Sequence, residues 1–176
     1  AGAVNTSGDI TTTNDNISFA TAVTLQGSLS MNTGAGIGNI LFSSTLNGTT
    51  AGTENLTLTA GTGNVTFTGA AGGVTRLGIL TINSATDVTA AAITVASINQ
   101  TAGSGTTTLN GAVNTNAAAG VNLTGTNLAV NAAIDATAGG GTVTASQSND
   151  TTVAANISSG GAMTFTASGF FMAMRV

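Results

Sequence analysis

The sequence predicts an all-β chain wound into a parallel β-solenoid of about eight coils. Three observations lead there. The composition suits a thin, layered core, a short strand-like motif returns at a fixed interval, and no stretch carries the period of an amphipathic helix.

The 176 residues include 25 Gly and no Pro, Cys, His, Trp or Tyr. Only 5% are charged, against roughly 25% in an average soluble protein. The cations are Arg76 and Arg175, and the acids are Asp9, Asp15, Glu54, Asp87, Asp135 and Asp150. Mean hydropathy is +0.38, with Val, Ile and Leu spread along the whole chain. That is the opposite of the low hydrophobicity and high charge that keep a chain disordered. With aromatics at 3%, the core must be built from many small side chains, which favours thin layers over one large globular interior.

The repeated motif is a β-former, a polar residue and a small residue. It runs Val4-Asn5-Thr6, Leu25-Gln26-Gly27, Leu46-Asn47-Gly48, Phe67-Thr68-Gly69, Val88-Thr89-Ala90, Leu109-Asn110-Gly111 and Val130-Asn131-Ala132, each copy 21 residues after the last. An eighth copy at Val153 arrives two residues late, as a small insertion near Ser146 to Asp150 would cause. The residues just before the motifs are Thr24, Thr45, Thr66, Asp87, Thr108, Ala129 and Thr152. The resulting alternation of polar, apolar, polar and small is that of a strand with one buried face, ending at a corner.

If each repeat is one coil, equivalent residues stack about 4.8 Å apart and eight coils span roughly 40 Å. The apolar column then lies inside. Thr24, Gln26, Thr45, Asn47, Thr66, Thr108, Asn110 and Asn131 form a polar stacking face, with the amides as a ladder that satisfies its own donors and acceptors. Gly34–Gly38, Gly61–Gly63, Gly103–Gly105 and Gly139–Gly141 read as turns between faces. Ala90–Ala92 and Ala117–Gly120 are too short to nucleate a helix.

The repeat domain covers residues 1–168, and residues 169–176 form a hydrophobic segment that caps the last coil or docks onto another copy. Phe170, Phe171, Met172 and Met174 at this end complement the uncapped start at Val4. A head-to-tail contact that does not close into a ring makes a filament, so the expected partner is a second copy of the chain.

Residue types exclude most chemistry. Without His, Cys, Lys or Tyr there is no histidine-assisted nucleophile, thiol, Schiff base or phenolic acid, and no His or Cys metal site. The acids are scattered, and Gly139-Gly140-Gly141-Thr142-Val143 lacks the acid of a calcium-loaded glycine repeat. No cofactor, metal or enzymatic activity is expected. A net charge of −4 offers nothing to neutralise nucleic-acid phosphates, and no apolar run is long enough to cross a membrane as a helix. Several Asn-x-Ser/Thr sequons, among them Asn16, Asn47, Asn55, Asn64, Asn99 and Asn122, are candidate glycosylation acceptors. A rank of Thr also raises ice binding, but Asp87 and Ala129 interrupt the column. Thr57-Leu58-Thr59 and Thr142-Val143-Thr144 are assigned to different columns.

The runs Gly63-Asn64-Val65-Thr66-Phe67-Thr68-Gly69-Ala70-Ala71-Gly72-Gly73, Leu77-Gly78-Ile79-Leu80-Thr81-Ile82-Asn83-Ser84 and Thr106-Thr107-Thr108-Leu109-Asn110-Gly111-Ala112-Val113 resemble the repeats of filamentous-haemagglutinin-like adhesins and related autotransporter passenger domains. The resemblance extends over residues 1–168. It implies secretion to a bacterial surface, a right-handed parallel β-helix, and a role in adhesion, biofilm or fibre formation. It carries no fixed binding residue. The chain is therefore expected to be a structural or adhesive fibre segment, with host or matrix glycans as further partners. The second reading is a surface-binding module that holds ice or glycan on a flat Thr/Asn face.

Overall fold

In the computed structural model, residues 2–172 are described. They form a parallel β-solenoid of about eight coils with a spacing of ~22 residues. Every strand pairing is parallel. The one helical element among the described residues is a short 3₁₀ turn, Ala138–Gly140.

Each coil visits three faces. The first carries Val4–Thr6, Val23–Leu25 and Leu46–Gly48, narrows to single bridges at Ala71, and resumes with Ile93, Val113–Thr115, Ile134–Ala136 and Ile157–Ser159. The second carries Ile10–Thr11, Leu29–Asn32, Leu56–Thr59, Leu77–Ser84, the end of Ile93–Gln100, Val121–Gly125, Val143–Gln147 and Met163–Thr166. The third runs unbroken through Ile17–Phe19, Ile40–Phe42, Val65–Phe67, Val88–Ala90, Thr106–Leu109, Asn127–Val130, Asp150–Val153 and Gly169–Met172. The last of these strands continues the solenoid past residue 168, so the first four residues of the expected capping segment are part of the repeat.

The strands are short because each face holds only two inward positions before a corner. Their burial alternates as a half-buried strand requires, with Val23, Leu25, Leu56, Leu58, Val65 and Phe67 inside and their neighbours outside. On the third face Phe19, Phe42 and Phe67 stack nearly parallel, with ring centroids 5.4 and 5.2 Å apart. The coil spacing itself sets that distance. It falls within the range that offset aromatic pairs prefer, and Ala90 ends the stack.

The coils are not of equal length, and this corrects the 21-residue column. Ile82 pairs with Gln100, 18 residues on, whereas Met31 pairs with Leu58, 27 residues on. Long and short coils compensate. Val65 pairs with Val88 at an interval of 23 and Val88 with Thr107 at 19, so alternate motif copies fall back into register. Val4 and Leu46 therefore share an inner column on the first face, while Phe67, Leu109 and Val130 share one on the third. The average period was readable; the column was not, because the turns absorb different numbers of residues.

The turns show how. Thr49–Thr53 and Gly72–Arg76 are extra loops beside the first face, and 116–120 and 137–142 bulge at the corner with the second face. Gly120, Gly139 and Gly140 sit at φ +57, +69 and +71, a left-handed conformation that a Cβ would penalise. In contrast, Leu77–Ser84 and Ile93–Gln100 pass the same corner as uninterrupted strands.

Candidate functional site

The polar stacking face expected from the sequence divides between two faces. Thr24 and Asn47 are register partners on the outside of the first face. Thr66 and Thr108 lie outside the third face, joined through Thr89. Asn110 and Asn131 stack just beyond that face, Asn131 Nδ2 donating to Asn110 Oδ1 at 2.9 Å. Gln26 and Thr45 lie in turns and join neither rank. The split follows from unequal coil lengths.

An amide ladder does exist, at the corner before the third face. Asn16 Oδ1 accepts Asn39 N–H at 2.7 Å, Asn39 Oδ1 accepts Asn64 N–H at 2.8 Å, and Asn64 Oδ1 accepts Asp87 N–H at 3.0 Å. Asp87 Oδ1 then takes Thr106 N–H at 2.8 Å, and after a break Asn127 Oδ1 takes Asp150 N–H at 3.3 Å. Each side chain thus satisfies the backbone donor of the next coil where the sheet ladder turns away. A Cβ at Gly105 would run into Asp87 Oδ1, so the glycine makes room for this contact. The signal was present in the sequence as an Asn or Asp directly before an apolar strand start: Asn16-Ile17, Asn39-Ile40, Asn64-Val65 and Asp87-Val88. Its uneven spacing obscures it, and Asn16 and Asn64 also open Asn-x-Ser/Thr sequons.

The second face carries the longest polar array. Ser30, Thr57, Thr81, Asn99, Asn122, Thr144 and Thr164 follow one another in register. Beside them Thr124, Ser146 and Thr166 do the same. Thr57 and Thr144, assigned to different columns from the sequence, therefore share one. Asn122 Nδ2 donates to Asn99 Oδ1 at 3.0 Å within the rank. Where the uninterrupted strands meet the bulging loops, this face dips into a groove of about 630 Å³ lined by Ile79, Thr81, Asn99, Asn122, Thr142 and Thr144.

Charges are few, and among the described residues Arg76, Glu54, Asp87 and Asp135 are engaged in hydrogen bonds. Arg76 donates to Val95 O at 2.6 Å, to Asn114 O at 3.1 Å and to Asn114 Oδ1, and Asn114 Nδ2 reaches Asp135 Oδ2 at 3.3 Å. The guanidinium thus bridges coils across the first face where its sheet is narrowest. Hydrogen bonds from the Thr137 hydroxyl and N–H hold the Asp135 carboxyl below its usual range. Glu54 is 6% exposed and fills the notch beside Gly48, under the Thr49–Thr53 loop. Its burial pushes the carboxyl up, but hydrogen bonds outweigh that and the net shift is downward. The donors are Thr49 Oγ1 at 2.7 Å and Thr50 N–H at 3.0 Å. Among the described residues no three acids gather as a metal site would require.

The residues expected to form an assembly interface sit at the two ends. Val4, 37% exposed, lies on the first strand and pairs only with the coil above. Phe170 and Met172 follow Thr151 and Val153 in the inner columns of the third face, while Phe171 points outward. Phe170 also packs against Phe165, with ring centroids 5.4 Å apart. Val153, Ile157, Met163, Phe165 and Met172 line an open hollow of about 290 Å³ in the final coil. Met174 lies outside the described residues.

No family model, curated protein or solved structure matches the chain.

Proposed function

We propose that the chain is a segment of an extracellular structural or adhesive fibre at a bacterial surface, a rigid rod that extends coil upon coil. One observation carries this reading. The second and third faces run in one direction from end to end without a reversal, so every coil presents the next with a template of unpaired backbone groups. The terminal coils have the same form, with apolar inner positions open at Phe170 and Met172 on one side and at Val4 on the other. A following coil, supplied by the same chain or by a second copy docking head to tail, would complete the ladder and cover the hollow.

Length and stiffness then come from backbone pairing and stacked side chains. With so few ionisable groups, the rod's cohesion depends little on salt.

Electron microscopy and diffraction of the purified protein test this. The expected result is coaxial rods with a layer spacing near 4.8 Å along the axis, lost on deletion of residues 170–176. Separate particles, or filaments that the deletion leaves unchanged, would contradict head-to-tail docking. A tandem fusion of two copies that fails to double the rod length in solution scattering would contradict the coaxial fibre itself.

A further inference from the structure

The groove on the second face sets convergent polar groups around an apolar floor, the form that small-ligand sites take. We propose that it binds a neutral saccharide chain lying along the solenoid axis. The groove exists because Leu77–Ser84 and Ile93–Gln100 hug the corner while loops 116–120 and 137–142 overhang it. Its floor holds Ile79, a large apolar side chain 44% exposed on an outward position. Along one wall stand Thr81, Asn99, Asn122 and Thr144, consecutive in register across four coils. That run measures roughly 14 Å at the spacing of a β-ladder, long enough for a short stretch of sugar rings.

The chemistry selects the ligand class. The Asn99–Asn122 hydrogen bond uses neither the Asn99 side-chain N–H donors nor the whole capacity of Asn122 Oδ1. The Thr81 and Thr144 hydroxyls bond to no other side chain among the described residues. Amide and hydroxyl groups both donate and accept, which matches a ligand whose hydroxyls do the same, and Ile79 offers contact to the C–H face of a ring. Among the described residues an anion would find no free cation, since Arg76 is spent on Val95 and Asn114. A cation would find no carboxylate, and a planar aromatic ligand no ring to stack on. The step in the face also argues against ice, which requires a flat rank.

The proposal stands apart from the fibre reading, since a rod without a ligand and a ligand-binding monomer are both physically coherent. The test is titration of the ¹⁵N-labelled protein with neutral oligosaccharides (a β-glucan, a mannan and a galactan series) and with alginate and heparin fragments. The expected result is saturable amide shifts at Ile79, Thr81, Asn99, Asn122 and Thr144 with at least one neutral series, with dissociation constants of about 0.1–1 mM. Asn122→Ala and Ile79→Glu should each weaken binding about tenfold or more, while Thr89→Ala on the third face leaves it unchanged. Thr144→Ala, a milder change at the same wall, serves if either variant misfolds. No saturable shift with any neutral series, shifts confined to the third face, or a stronger response to the anionic fragments would overturn the proposal. So would thermal hysteresis without saccharide binding, which would assign the ranks to ice.

Discussion

Through Leu80 the core is filled by Phe19, Phe42 and Phe67, by Met31, and by Leu25, Leu29, Leu46, Leu56, Leu58 and Leu77; beyond it the same inner columns hold mostly Val, Ile and Ala. The second half also buries Ser97, Gln100, Thr107, Thr115, Gln147 and Thr151, where the first buries only Thr33 and Glu54 among polar residues. Gln100 and Thr107 satisfy each other at 2.9 Å, and Gln147 donates to Leu123 O at 2.8 Å. Thr115 Oγ1, Gln147 Oε1 and Thr151 Oγ1 have no protein partner. Yet both halves keep the same three-faced parallel coil. Backbone pairing and corner ladders therefore specify the coil, and side-chain volume and polarity decide how firmly each coil is held.

The largest expected effect separates the halves directly. Phe42→Ala removes the middle ring of the stack and should cost about 3–5 kcal/mol. Val130→Ala, in the matching inner column of the second half, should cost about 2 kcal/mol. Equal losses in chemical denaturation would mean that the first half is held no more firmly than the second at this column.

A smaller change of opposite sign belongs to the second half alone. Thr115→Val and Thr151→Val replace an unpaired buried hydroxyl with a methyl of the same shape, and each should stabilise by about 1–2 kcal/mol. A loss of stability in either variant would show that the hydroxyl is satisfied and that the second half is not under-bonded.

The smallest effect is in the first half and depends on pH. The folded Glu54 carboxyl lies below its ordinary value, so its contribution is present above the unfolded pKa and fades as pH falls through the folded one. Glu54→Gln should therefore lower stability modestly at neutral pH and flatten the acid limb of the stability curve below the usual glutamate range, so that the two proteins converge in acid. An acid limb identical in the two proteins would assign the acid sensitivity elsewhere.

The fold was legible because its signal is chemical: alternating apolar and polar residues, glycine corners, no helical period and almost no charge. What stayed hidden depends on counting. A two-residue excess in the Val65–Val88 coil, cancelled in the next, left an average near 21 while moving Val88 into a different inner column from Phe67 and Leu109. The same unevenness concealed the Asn16–Asn39–Asn64–Asp87 ladder and scattered Thr57, Thr81 and Thr144, which the fold aligns. The groove was beyond reach, since it arises from loops in two coils overhanging strands in two others.

Residue-resolved hydrogen exchange of the intact chain tests the central claim most directly, because it reads ladder and core together. Protection should recur on all three faces of the inner coils, with the slowest amides around Phe42, Leu58 and Phe67 and a stepwise loss beyond Ala90. Protection equal in both halves, or greater in the second, would contradict the claim that one ladder is shared and unevenly supported.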